Sequence, residues 1–154
     1  MSTFVVRHVK AGSRSRWSGD DRERPVSASG RQQADGIAER LADAGVRGLW
    51  SSPYRRCVET LEPLAARLGL ALLTDRRLGE GARTADVLAL LAEAGDGAVL
   101  CSHGDVIPDL LDALVRRGTV VTTEPDWRKG AIWVLERDGD DGGFATARAE
   151  APPT

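Results

Sequence analysis

Two short runs, Phe4-Val5-Val6 and Val99-Leu100-Cys101, are apolar at every position, and this constrains the fold more than any other feature of the chain. A strand with one wet face alternates apolar and polar residues. A strand that is apolar throughout needs cover on both faces, which helices above and below a parallel sheet provide. Longer stretches with helical spacing lie between such runs. From about Ala28 to Ala44 the residues Ala34, Ile37, Ala38, Leu41 and Ala42 form one stripe, with Ser27 placed to cap its start and Gly45 its end. After Pro53, Tyr54, Cys57, Val58, Leu61, Leu64, Ala65 and Leu68 share a face, and Pro63 is expected to kink or break that helix. Thr84–Ala94 and Asp105–Arg117 read as two more helices. Strands are expected at Thr3–Val6, Leu49–Ser51, Leu70–Thr74 and Ala98–Cys101. A closing hairpin is expected from Ala131–Glu136 and Phe144–Arg148 around the Asp/Gly run Asp138–Gly143. Strands alternating with helices give an α/β fold with a mainly parallel central sheet.

A chain of 154 residues fits a single domain, 1–154, with 149–154 expected to be a flexible tail. A net charge of −2 argues against nucleic acid or an anionic membrane as a partner. No apolar stretch approaches the roughly 18 residues of a membrane span, and the start of the chain lacks the three regions of a signal peptide. Cys57 and Cys101 are isolated in apolar settings and read as buried thiols. A cytoplasmic protein is the resulting expectation.

In open α/β sheets ligands bind beyond the carboxyl ends of the strands. The chain has two histidines, and each directly follows an apolar run: His8 after Val5-Val6-Arg7, His103 after Val99-Leu100-Cys101-Ser102. If those strands are neighbours, both imidazoles face one crevice. A third segment, Ser51-Ser52-Pro53-Tyr54-Arg55-Arg56, also leaves a strand end and opens a helix, whose free N–H groups and dipole suit an anion. Arginines in a first helical turn are unfavourable for the helix itself, so an anionic partner would explain Arg55 and Arg56, which otherwise read as surface. Two histidines and two or more arginines around one point suit a phosphoryl group, because the guanidinium fork matches its oxygens and phosphoryl transfer needs mainly positioning and neutralised charge. No carboxylate cluster with metal-ligand spacing and no Gly-rich phosphate loop is present, so no metal or cofactor is expected. A neutral histidine can itself attack phosphorus.

These segments, Arg7-His8, Ser51-Ser52-Pro53-x-x-Arg56-x-x-x-Thr60 and Ser102-His103-Gly104-Asp105, resemble the histidine phosphatase superfamily, also called phosphoglycerate-mutase-like. The opening Arg7-His8-Val9-Lys10-Ala11-Gly12 resembles its SixA-type branch. The stretches Gly12–Pro25 and Trp127–Trp133 are similar to the phosphatase domain linked to MutT-type Nudix hydrolases. The resemblance implies a three-layer α/β/α sandwich and a metal-independent phosphatase working through a phosphohistidine on His8. Arg7, Arg56 and His103 would complete the phosphate pocket. Glu80, in Leu78-Gly79-Glu80, matches the branch that places its proton donor after the third strand; Asp105 is a second candidate, although it also reads as a helix cap. Lys10, Arg14, Arg16, Ser102 and Lys129 are candidates for holding the rest of the substrate, and Trp17 and Trp127 could stack on a base or pack loops. The expected substrate is a small, nucleotide-like phosphate ester. A phosphohistidine protein, as for SixA, and a non-catalytic phosphate-binding module remain as alternatives.

Overall fold

The computed structural model describes residues 1–138 and 143–154. Among these described residues seven strands form one sheet in the order β3-β2-β4-β1-β6-β7-β5. They are β1 Ser2–Arg7, β2 Gly48–Ser51, β3 Leu72–Thr74, β4 Ala98–Ser102, β5 Val120–Val121, β6 Ile132–Arg137 and β7 Phe144–Glu150. All run parallel except β6, which is antiparallel to both of its neighbours. The helices are α1 Ala28–Leu41, α2 Arg55–Leu68, α3 Thr84–Ala94 and α4 Val106–Arg116.

Successive strand residues point to opposite faces, so an all-apolar strand feeds two cores. Phe4, Val6, Val99, Cys101, Ile132 and Val134 pack with Ile37, Leu41, Leu61 and Leu64 of α1 and α2. Val5, Ala98, Leu100, Trp133 and Leu135 pack on the other face with Leu90 and Leu91 of α3 and Leu110 and Leu114 of α4. The architecture is the expected α/β/α sandwich.

Some expectations need correction. Helix α2 runs unbroken through Pro63. The proline forfeits one backbone bond, but Leu61 and Leu64 on either side are fully buried and hold both halves of the helix to the core. Helix α1 stops at Leu41, short of Ala44. Ala149 and Glu150, assigned to the tail, are paired in β7 with Trp133 and Ile132, and the Glu150 carboxylate accepts two bonds from Arg40 of α1 at 2.8 and 2.6 Å. Strand β5 had no signal beyond its two valines. Most of the expected Asp138–Gly143 turn, residues 139–142, lies outside the described residues.

The start of α1 ties the site to the fold. The Ser27 hydroxyl accepts from Gly30 N at 3.1 Å as the expected cap, and Ser27 N donates to Lys10 O at 3.0 Å. This seats the helix so closely that a Cβ on Gly30 would stand 1.9 Å from Lys10 O. Gly30→Ala is therefore expected to cost about 3 kcal/mol, the upper end for overpacking, because backbone lies on both sides of the clash. Denaturant unfolding of the variant would measure it, and a loss below about 1 kcal/mol would contradict this packing.

Candidate active site

Strands β1 and β4 are neighbours, with Arg7 in register with Ser102. The next residues leave the sheet together: His8 N donates to Ser102 O at 3.1 Å, and the His8 and His103 ring centroids are 5.5 Å apart. Both side chains are nearly covered, at 5% and 2% exposure. They line a cavity of about 280 Å³ with Arg7, Arg14, Arg56, Glu80, Gly104 and Asp105.

His8 Nδ1 lies 2.9 Å from Val9 O. A carbonyl only accepts, so Nδ1 carries the proton and Nε2 keeps a lone pair. Burial lowers the His8 pKa to about 3, with the nearby His103, Arg56 and Arg7 acting the same way and the Val9 bond opposing. The ring is thus neutral at neutral pH. The backbone behind it is fixed by Thr60 of α2, whose buried hydroxyl accepts from Val9 N at 3.0 Å and donates to Arg56 O at 2.7 Å.

A depressed histidine pKa has a consequence for stability. Above pH 6.5 both folded and unfolded chains carry neutral His8, and the full stability is present. As pH falls from there towards 3, the unfolded chain takes up a proton that the folded one refuses, so stability is lost. The linkage amounts to about 2 kcal/mol at pH 5. Between pH 7 and pH 5 the wild type should therefore lose about 2 kcal/mol more unfolding free energy than His8→Asn. Equal losses would mean that His8 titrates normally.

Arg56, at 1% exposure, opens α2 and is the hub of the charges. Its Nη2 donates to Glu80 Oε2 at 2.8 Å and to Asp21 Oδ2 at 3.2 Å, and its Nη1 donates to Asp21 O at 3.0 Å. The guanidinium lies 4.9 Å from the Tyr54 ring centroid, and that ring in turn meets His103 edge-on at 4.6 Å. Asp21 is fastened by Arg24, whose Nε donates to Oδ1 at 3.0 Å. Partial burial acts against it, but the Arg24 bond and the charges of Arg56, Arg24 and Arg14 keep Asp21 below the usual carboxylate range. Arg7 donates to Trp127 O at 2.6 Å and lies flat on Gly104, where a Cβ would meet its guanidinium carbon at 2.7 Å. Among the described residues the Nε groups of both Arg7 and Arg56 are buried without a partner, which leaves donor capacity for an oxyanion.

Glu80 occupies a tight turn closed by Ala82 N to Gly79 O at 3.0 Å, with Gly81 at φ +78°. Gly81 N donates to Asp105 Oδ2 at 2.8 Å. The expected helix cap is therefore not formed; the Asp105 carboxylate holds the Glu80 turn instead.

The remaining candidates separate. Arg14 lines the cavity, with loose ion pairs to Glu80 at 3.6 Å and Asp21 at 3.8 Å. Lys129 is half-buried and does not line the cavity. Burial first, then Arg7, Arg24, Arg56 and Arg14, lower its pKa. Gln33 joins its segment to the end of β1, accepting from Lys10 N at 3.0 Å and donating to Lys129 O at 3.4 Å. Lys10 and Arg16 are exposed and do not line the cavity. Ser102 is a correction: its buried hydroxyl donates to Leu78 O at 2.7 Å and faces the interior. Arg55 points away to Glu59 at 3.4 Å. Trp17 packs its own loop through a bond to Asp20 O at 2.9 Å, and Trp127 packs on Trp133. The sequence reading missed Asp21 and Tyr54, and gave Ser52 and Thr60 no role beyond their place in a motif.

Comparison with known proteins agrees with this geometry. The family described as histidine phosphatase superfamily (branch 1) matches residues 3–82. An 8-oxo-(d)GTP phosphatase of Mycolicibacterium smegmatis is 38% identical over 99% of this chain, which spans 48% of the length of that relative. The protein histidine phosphatase SixA complexed with tungstate has the same fold, with a TM-score of 0.74 and 22% identity over 94% of this chain and 92% of that one. A mycobacterial glucosyl-3-phosphoglycerate phosphatase with inorganic phosphate reaches a TM-score of 0.69 at 20% identity, over 97% and 95% of the two chains.

Proposed function

The chain belongs to the histidine phosphatase superfamily, and from that premise we propose that it is a phosphohydrolase that passes a phosphoryl group through His8. The observation that carries the reading is the pair of imidazoles on register-matched strand ends, with His8 Nε2 left free beside Arg7 and Arg56. His8 Nε2 attacks phosphorus and the bond to the leaving oxygen breaks. Glu80 gives that oxygen a proton. Water then attacks the phosphohistidine, Glu80 takes its proton, the P–N bond breaks and inorganic phosphate leaves. Arg7, Arg56 and His103 neutralise the equatorial oxygens throughout, as a metal ion does elsewhere.

The substrate in this reading is a nucleotide-like phosphate ester. The kinship with the mycobacterial 8-oxo-(d)GTP phosphatase supports it. So does Arg14 in the cavity lining, which would hold a second phosphate, with Lys129, Lys10 and Arg16 outside the lining. A cytoplasmic setting completes the proposal; among the described residues no helix is long and apolar enough to cross a membrane.

Phosphate release in EDTA tests it, across p-nitrophenyl phosphate, nucleoside mono-, di- and triphosphates, sugar phosphates and a phosphohistidine protein. Turnover of a nucleotide class is the expected result. Preference for the phosphohistidine protein would replace the substrate, and phosphate binding without any turnover would make the chain a sensing module. Glu80→Gln should slow poor leaving groups at least tenfold more than p-nitrophenolate, which needs little protonation. Equal slowing of both would remove Glu80 from the acid role.

A further inference from the structure

We propose that Ser52 is a positioning residue for this reaction: its hydroxyl holds the His103 ring in the tautomer that offers Nδ1–H to the transferring phosphoryl group. The proposal rests on the phosphoryl-transfer reading above. Ser52 follows β2, the neighbour of β4 on the side away from β1, so it approaches His103 from behind the cavity. It is fully buried, and its Oγ lies 2.8 Å from His103 Nε2. Its backbone cannot drift, because Ser52 N donates to Cys101 O at 3.0 Å within the same strand-end cluster.

The direction of the bond follows from a count of donors. Tyr54 N donates to Ser52 Oγ at 3.2 Å. The hydroxyl therefore accepts from the backbone and has its own proton left to give; the Cys57 sulfur is also in reach, but sulfur is a weak acceptor, and His103 Nε2 at 2.8 Å is the stronger one. A neutral imidazole that accepts at Nε2 carries its proton on Nδ1. His103 Nδ1 has no partner among the described residues and is the ring nitrogen left to the cavity that His103 lines. The Cys57 thiol is the other group near Nε2, at 3.6 Å, but it is a weak donor and Ser102 O at 3.8 Å competes for its proton. The two imidazoles are thus set by opposite means. A carbonyl that only accepts fixes the proton of His8 on Nδ1 and frees Nε2 to attack. A hydroxyl that donates to Nε2 of His103 fixes its proton on Nδ1, where it serves as an oxyanion donor.

The chain has only two histidines, so ¹⁵N-labelled imidazole spectra are directly assignable with one variant. In the wild type His103 should appear with protonated Nδ1 and a bare, hydrogen-bonded Nε2. Ser52→Ala should lose that hydrogen-bonded signature and give a mixture of tautomers. Turnover should fall roughly 10- to 100-fold, less than the loss of an oxyanion donor outright. Cys57→Ala should leave both the spectrum and turnover within about twofold of wild type. A wild-type spectrum with protonated Nε2 would overturn the proposal without any variant, as would Ser52→Ala with unchanged His103 signals and unchanged turnover. Failure of the phosphohistidine reading itself would show differently, as turnover surviving in His8→Ala while the His103 spectrum stays as described.

Discussion

His8→Ala is expected to lower turnover by about 10⁵-fold, to the level of residual electrostatic catalysis, with EDTA making no difference to either protein. In the proposed mechanism His8 is the nucleophile, and removing it deletes the step rather than weakening an interaction, so no neighbour can substitute. His103 is the only other imidazole, and its Nε2 is committed to Ser52 on the side away from the cavity. The cavity itself should survive, because Arg7 and Arg56 are held by Trp127 O, Asp21 and Glu80 and not by His8. The variant should therefore still bind inorganic phosphate or vanadate. Acid-stable phosphoester chemistry is excluded at this position, so the wild type quenched during turnover should yield an acid-labile, base-stable phosphoryl group that is absent from His8→Ala. Turnover in the variant within tenfold of wild type would end the mechanism. Loss of turnover together with loss of phosphate binding would instead show that His8 holds the pocket open.

Which parts of this site could be read from the sequence follows from how far apart the contacting residues lie. His8 and His103 were legible because each sits one step beyond an apolar run, and parallel neighbours in register bring such positions together. A cation in a first helical turn conflicts with the helix dipole unless an anion is near, which marked Arg55 and Arg56 alike; only the motif resemblance singled out Arg56. Both signals are local. Asp21 had none: its contact with Arg56 spans 35 residues and exists only because the loop after His8 closes back over α2. Asp105 misled for a related reason. Its place at a helix start suggests a cap, but in the fold Gly81 N offers a donor from a turn 24 residues away. Ser102 shows the limit of reading by motif, since adjacency to His103 says nothing about which face its hydroxyl takes, and Leu78 O claims it inside. Pro63 failed as a breaker because its local cost, about 3 kcal/mol, is offset by the burial of Leu61 and Leu64 on either side of it.

Arg56→Lys should lower kcat/KM by about 10³-fold although the charge is kept. Lysine offers one point charge at the end of a flexible stem. The guanidinium offers a planar fork, and here each arm is already aimed: one terminal nitrogen is held by Asp21 O, the other is shared by Asp21 and Glu80, and Nε is buried without a partner. An arriving phosphoryl group meets a guanidinium already fixed in place, with Nε–H and the second Nη1 hydrogen uncommitted among the described residues, and such preorganisation is the condition for stabilising charge in the transition state. The ammonium of the variant would be drawn to Asp21 and Glu80 and would have to leave them to reach phosphorus. The loss should therefore fall on kcat as well as KM, whereas loss of plain substrate attraction would raise KM alone. Asp21→Asn separates the two effects. It keeps one side-chain acceptor, for Arg24 or for Arg56, and the backbone oxygen that Arg56 also uses, while removing one competing charge, so its own cost should stay within about tenfold. In the double variant the lysine has one carboxylate fewer to escape, and the combined loss should be smaller than the product of the single losses. If the two losses simply multiply, Asp21 and Arg56 act independently, and the 3.2 Å contact between them contributes nothing to the readiness of the pocket.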